Sequence, residues 1–284
     1  MRLTIDFYPI GNLLGYERGI EECAKAGFDG IDVGFFDLKS NSPFSGDDYK
    51  QVCRNYLDIA KKNNIAFTQA HAPFGSPYSR YSAESIPHFP RMFECCAELG
   101  IKTVVIHPIQ DGPFKQKSEE LLLRSVEFYK GLVPMAREYG VKMATENMWQ
   151  RDENKKIIDD TCASPEQLCR CVDMVDSEWL VACLDIGHVV LCDREPADFI
   201  RTLGRDRLGA LHVHDNDKVS DQHVLPFTGK IDWLSTCSAL AEIGYKGDFT
   251  FEILKSTGAV PAELCPDILK YSERVGRYLI SQIK

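Results

Sequence analysis

The chain has 284 residues, 44% of them apolar, and a net charge of −9 with a pI near 5.3. That length can bury a sizeable core in one large domain or two small ones. The acidic balance speaks against general polyanion binding, though it leaves room for a locally basic cleft, and no Lys/Arg block reads as a nucleic-acid tail. No run approaches the ~18 apolar residues of a membrane helix. The opening Met1-Arg-Leu-Thr-Ile-Asp-Phe-Tyr-Pro9 puts an acid and a proline where a signal peptide needs an unbroken apolar core. Eleven cysteines with no Cys-x-x-Cys pair read as buried thiols rather than redox or metal groups, and a cytoplasmic location is expected.

The pattern alternates from end to end. Leu3–Phe7 reads as a strand, Tyr16–Ala26 as a helix stopped at Gly27, Gly30–Phe35 as a strand, and Asp47–Asn64 as an amphipathic helix opened by acids. Ala66–Pro73 is a strand closed by proline. Ser82–Gly100 carries Pro87 and Pro90, so only Arg91–Leu99 is expected to be regular helix. Lys102–Pro108 is a β-branched strand, and Ser118–Tyr139 a long helix with Glu119 and Glu120 near its start and Gly140 at its end.

The second half repeats the theme. A strand runs to Asn147, a helix opens at Ser164-Pro165 with Ser as cap, and a strand ends at His188. A short helix covers Glu195–Leu203, a strand ends at Asp215, and a loop leads past Gly229 to a helix over Ile231–Ile243. Gly247–Ile253 and Ala262–Ile283 close the series as strand and helix. Eight βα units with short connections predict a (β/α)8 TIM barrel, with residues 1–284 as one domain. No Gly-x-Gly-x-x-Gly follows the first strand, which removes the commonest dinucleotide fold.

Barrels of this kind carry their active sites at the C-terminal strand ends. Six successive strands here end in ionisable groups: His71, His107, Glu146, Asp185 with His188, His212 with His214, and Glu252. Each is costly to bury alone. Oxygen and nitrogen donors from separate rigid strands suit one divalent ion, Mn²⁺, Mg²⁺, Co²⁺ or Zn²⁺. Trp149, just past Glu146-Asn147, is placed either to pack in the core or to wall a bound ligand.

Several short motifs accompany these residues: His71-Ala-Pro, Ile106-His-Pro, Glu146-Asn, Asp185-Ile-Gly-His, Leu211-His-Val-His-Asp-Asn-Asp, Pro226-x-x-Gly-x-Ile-Asp-Trp233 and Phe251-Glu. In strand order, over nearly the whole chain, they resemble the xylose-isomerase-like TIM barrels. That superfamily includes sugar and sugar-phosphate isomerases and epimerases, inosose dehydratase-like enzymes and endonuclease IV. The resemblance implies a metal held by Glu146, Asp185, His212 and Glu252. Glu146 and Glu252 would move a proton off one face of a carbohydrate and back onto the other. His71, His107, His188, His214, His223 and Trp149 would contact substrate.

The epimerases' arginine after the seventh strand has no counterpart here; Lys218 is the basic residue of that stretch. Two alternatives share the fold. One is an inosose dehydratase-like lyase. The other is an endonuclease IV-like hydrolase of abasic DNA with three zinc ions, for which His71, His107, Glu146, Asp185, His188, His212, Asp221 with His223, and Glu252 are formal matches. The mostly acidic or neutral strand-end loops speak against a nucleic-acid partner. A small carbohydrate substrate is expected, with no membrane partner and with a homo-oligomer left open.

Overall fold

A computed structural model of the chain describes residues 1–38, 42–73 and 86–284. Its main sheet is eight-stranded and all parallel, in the order β10-β1-β2-β3-β4-β5-β8-β9. The strands are β1 (Leu3–Asp6), β2 (Gly30–Gly34), β3 (Ala66–His71), β4 (Thr103–Val105), β5 (Lys142–Glu146), β8 (Leu180–Asp185), β9 (Leu208–His212) and β10 (Phe249–Phe251). Beyond the named strands, the Val213 amide donates to the Thr250 carbonyl at 2.8 Å and the Glu252 amide to the Val213 carbonyl at 3.1 Å. These bonds join β9 to β10 and bring the sheet round into a nearly closed TIM barrel. The strands are almost wholly buried, as parallel strands covered on both faces must be.

Helices alternate with the strands: α1 (Tyr8–Leu14), α2 (Tyr16–Ala26), α3 (Tyr49–Lys62), α4 (Phe89–Leu99), α5 (Phe114–Tyr139), α6 (Pro165–Val175), α7 (Ile186–Leu191), α8 (Pro196–Arg207), α9 (Trp233–Glu242), α10 (Leu254–Gly258) and α11 (Cys265–Gln282). Their apolar faces meet the outer side of the strands in one large core that includes Leu3, Ile5, Phe93, Leu184, Trp233 and Phe251. Ser164 caps α6 by accepting from the Gln167 amide, as the Ser-Pro pair predicts.

Some expected boundaries move. The expected start at Ser82 lies outside the described residues, and α4 begins two residues before Arg91, with Pro90 in its first turn where a missing N–H costs nothing. Helix α5 starts one turn before Ser118, so its first turn holds no acid. The run expected to be strand as far as His188 stops at Asp185, whose carboxylate accepts the His188 amide and caps α7. Between the strand to Asn147 and the helix at Ser164, where the sequence predicts no element, a hairpin of β6 (Trp149–Arg151) and β7 (Ile157–Asp159) folds over the barrel mouth. All eleven cysteines are free thiols, and all but Cys169 and Cys192 are buried. No helix among the described residues is long and apolar enough to cross a membrane.

One further feature positions the site. Val105, Ala144, Cys183 and Ala210 form a small separate apolar cluster. Ala144, Cys183 and Ala210 each stand two residues before Glu146, Asp185 and His212, so each pair points to the same side of its strand. Small side chains thus fill the layer beneath, and the functional groups sit on top of it at the C-terminal mouth.

Candidate active site

Glu146 ends β5, Asp185 ends β8, His212 ends β9, and Glu252 follows β10. One donor atom from each lies within 4.8 Å of the others, and all four residues are buried. His212 Nδ1 is the hub: it is 3.1 Å from Glu146 Oε1, 3.4 Å from Glu252 Oε2 and 4.0 Å from Asp185 Oδ2. Its other nitrogen, Nε2, points toward Asp32 Oδ2 at 3.7 Å. Asp32 is itself held by the Gln69 amide at 2.7 Å.

Two further donor groups adjoin this one: His71 and His107 with Glu146, and His188, His214 and His223 with Asp221. His71 Nδ1 lies 2.9 Å from the Ala72 carbonyl, His188 Nδ1 2.9 Å from the Asn147 carbonyl, and His223 Nδ1 3.1 Å from the Glu252 carbonyl. A carbonyl can only accept, so Nδ1 of each ring carries a proton and Nε2 is the atom turned to the site; His223 Nε2, 3.0 Å from Asp221 Oδ2, is protonated as well unless a cation takes that place. That is the arrangement of a histidine kept for a cation. His71 and His107 bring their Nε2 atoms to 3.0 Å of each other, beside Glu146 Oε2 at 3.7 and 3.0 Å.

Asn147 clamps the centre. Its side chain donates to the Asp185 carbonyl at 2.9 Å and accepts the Asp185 amide at 2.8 Å, tying the end of β5 to that of β8. Gly187 is required by close approach: a Cβ there would lie 2.0 Å from the His214 ring. The space lets His214 Nε2 reach both Asp185 oxygens at 3.0 and 3.1 Å. Asp215 anchors the following loop by accepting from the amides of Asn216, Phe227 and Ile231 and from Trp233 Nε1. Gly229 lets that loop close over it, since a Cβ would come within 2.3 Å of the Asp215 carboxylate. Trp233 is therefore a structural residue, as its place at the head of α9 predicts.

The electrostatics call for positive charge. Burial alone would raise the Glu146 carboxyl, but His212 and His107 more than offset it and hold it well below the usual carboxylate range. Glu252 is likewise raised by burial and lowered further by His212 and His223. Burial disfavours the His188 imidazolium, yet Asp185 and Asp221 push its pKa up to about 10. His107, where burial dominates, titrates below the ordinary range. Glu146 Oε2 and Asp221 Oδ1 are buried without a well-formed hydrogen bond, although His107 Nε2 lies 3.0 Å from the first. Carboxylates with spare lone pairs among imidazoles of fixed tautomer fit a divalent cation, which would supply the charge that protonated histidines otherwise provide.

A cavity of about 730 Å³ opens above this floor, the size of a small-molecule site. His71, His107, Glu146, His188, His223, Glu252 and Trp149 all line it, while Tyr8, Phe36, Met148 and Leu254 supply apolar wall. His214 is set apart from the other expected substrate contacts. It is fully buried and stacked beneath His223 at 4.0 Å, and it touches Asp185 rather than the cavity.

Lys218 also falls elsewhere: it lines a second cavity, and among the described residues the cation at the rim of the first is Arg151 on the hairpin. Arg151, Gln110, Gln150 and Asp32 were missed by sequence reasoning. The turn residues Asp152-Glu-Asn154 between two short runs that each contain large apolar side chains were the available signal for the first of them.

A parallel barrel with a buried carboxylate and imidazole cluster at its C-terminal mouth defines a class of barrels with a polar strand-end site. Within it, a family model described as xylose isomerase-like TIM barrel matches residues 20–272, and the chain belongs to that family. An uncharacterised protein of Methanocaldococcus jannaschii is 29% identical over 208 residues, covering 70% of this chain and 68% of that protein. Among solved structures, an IOLI protein with a bound zinc atom aligns with a TM-score of 0.75 at 22% identity, over 99% of this chain and 100% of the other. A D-psicose 3-epimerase determined in the presence of D-fructose aligns with a TM-score of 0.73 at 20% identity, over 99% of each chain.

Proposed function

We propose that the chain is a cytoplasmic, metal-dependent isomerase or epimerase of a small sugar or sugar phosphate, working by proton transfer through an enediolate. The observation that carries this reading is the placement of Glu146 and Glu252. Both carboxylates meet at His212 Nδ1 and both line the same cavity, yet they come from strands separated by β8 and β9 around the barrel. They can therefore address one bound molecule from two sides.

Glu146, Asp185, His212 and Glu252 would hold the ion. Bound there, the ion would supply Lewis acidity toward a substrate's carbonyl and hydroxyl oxygens, the chemistry that acidifies an adjacent C–H. Glu146 or Glu252 takes that proton as carboxylate, and the other, protonated from solvent, returns one to the opposite face. His188 and His107 are within reach to hydrogen-bond substrate oxygens, and Trp149 and Phe36 pack against the sugar's C–H faces. The family match and the structural likeness to a zinc-containing barrel and a ketose 3-epimerase support this reading.

The test is solvent exchange. The metal-loaded protein is incubated with ketoses and ketose phosphates in D₂O, and deuterium beside the carbonyl is read by NMR. Glu146→Gln should lower exchange by about 10²–10⁴-fold while leaving the far-UV spectrum, and the unfolding midpoint measured in EDTA, close to wild type. Wild-type-like exchange by the variant would remove Glu146 from the mechanism.

A second reading is favoured by the two donor groups flanking the central one. Hydrolysis of a phosphodiester by three zinc ions, as in endonuclease IV, would use all three. Cleavage of an abasic-site duplex by the zinc-loaded protein, without exchange into any ketose, would select it.

A further inference from the structure

Beside the metal-site cavity lies a second cavity of about 630 Å³, bounded by the hairpin β6–β7, the start of α5, the end of α7 and the loop after β9. Arg151 lines both. In a chain whose net charge is −9, this cavity is basic: Lys115, Arg151, Lys155, Lys156 and Lys218 face two acids, Asp159 and Asp193. Asp159 is already neutralised by a two-pronged pair with Arg194 at 2.6 and 2.7 Å.

Lys115, Lys155 and Lys156 make no ion pair among the described residues, and Lys218 has only the exposed Glu195 at 3.9 Å. Lys115 also stands in the first turn of α5, which holds no acid. A cation there opposes the positive end of the helix dipole. Like charges gathered without partners repel one another, and an anion relieves that cost.

We propose that this cavity is a phosphoryl-binding subsite, which takes the phosphate of a phosphorylated sugar whose carbonyl end lies over Glu146 and Glu252. It rests on the isomerase reading for the identity of the substrate, but not for the binding of phosphate itself. Several nitrogen donors around one small pocket match a phosphomonoester dianion, with Arg151 able to bridge phosphate and sugar. Its small size favours a small ligand over a polynucleotide: Phe114, Val190 and Leu191 form its apolar wall, whereas a nucleic acid follows an extended basic track.

The test compares binding of inorganic phosphate, D-fructose 6-phosphate and D-fructose by isothermal calorimetry, in wild type and in Lys115→Gln/Lys156→Gln. Lys155 is left alone because its backbone sits at φ 64°. Wild type should bind inorganic phosphate saturably and prefer the sugar phosphate to fructose. The double variant should lower that preference by at least about tenfold.

Equal affinity of wild type for the phosphorylated and free sugar overturns the proposal. So does phosphate binding that the double variant leaves unchanged, which would place the anion on the metal cluster. Tighter binding of an abasic duplex than of either phosphate probe would overturn it in favour of a nucleic-acid backbone. The two readings fail separately. Ketose exchange in D₂O without phosphate binding removes the subsite alone; lysine-dependent phosphate binding without exchange removes the isomerase reading and leaves the subsite standing.

Discussion

At the scale of single residues, the site depends on groups that never face the cavity. His212 can offer Nδ1 to the three carboxylates only if Nε2 keeps the proton, and Asp32 lies 3.7 Å from that nitrogen. Asp32→Asn removes the charge that favours this tautomer, so affinity for Mn²⁺ or Zn²⁺ should fall by about 10–100-fold. Competition with a chromogenic chelator measures it, and an unchanged affinity would mean that Asp32 does not orient the ring.

Asp160 gives a prediction of opposite character, because it lies behind the cavity wall and away from the metal donors. Burial raises its carboxyl to about 6, although the Gln110 amide and the Thr161 amide and hydroxyl lower it. A carboxyl raised on folding stabilises the fold fully below its unfolded pKa of ~3.9. That contribution is lost as pH rises through 6, at a cost of about 3 kcal/mol. Asp160→Asn, which stays neutral, should gain stability relative to wild type between pH 4.5 and pH 8, as read by urea unfolding. A difference that does not vary with pH would show the carboxyl to be titrating normally.

At the scale of elements, the barrel strands were legible because each is a short apolar run buried on both faces and punctuated by Gly or Pro. The central site was legible for a related reason: Glu146, Asp185, His212 and Glu252 interrupt those runs with groups that apolar packing cannot explain. Elements that break this logic were not. Helix α7 continues the strand's apolar pattern in Ile186-Gly-His-Val-Val-Leu191, so only the capping bond from the His188 amide to Asp185 Oδ1 at 2.7 Å marks the change. Helix α1 is seven residues with Pro9 and Gly11 inside it, and β6 and β7 have three residues each, too short to show a period. These are the pieces that carry cavity lining such as Tyr8, Trp149 and Arg151, since elements at the mouth answer to a ligand rather than to the core.

Helix α7 also supplies the element-scale prediction. Gly187→Ala puts a methyl 2.0 Å from the His214 ring carbon, and the ring must leave Asp185 or α7 must shift. Asp185 would lose its alignment, so metal affinity and turnover should fall together, with a loss of about 1–3 kcal/mol in stability from overpacking. Equal metal affinity in the variant, by the same chelator competition, would show that His214 does not hold Asp185 in place.

At the scale of the whole molecule, the number of bound ions separates the two functional readings. The mouth gathers Glu146, Asp185, Asp221 and Glu252 with six imidazoles, most of them buried, so a cation held by several of them at once binds the folded chain and not the unfolded one. Saturation at ~1,000 times the dissociation constant stabilises the fold by about 4 kcal/mol, or very roughly 8 °C in melting temperature for a chain of this size. An isomerase or epimerase needs the central group alone. One ion per chain by elemental analysis is then expected, with the melting shift abolished by His212→Ala and kept by His71→Ala. A three-ion hydrolase needs the flanking groups as well: about three zinc ions, a shift reduced stepwise by His71→Ala and His223→Ala, and activity on abasic duplex. Both readings demand a shift on adding metal, because both assign the buried Glu146 carboxylate to a cation. A chain that melts at the same temperature with EDTA, Mn²⁺, Co²⁺ and Zn²⁺ would show the cluster to be a proton-balanced polar core, and the metal chemistry would fall with it.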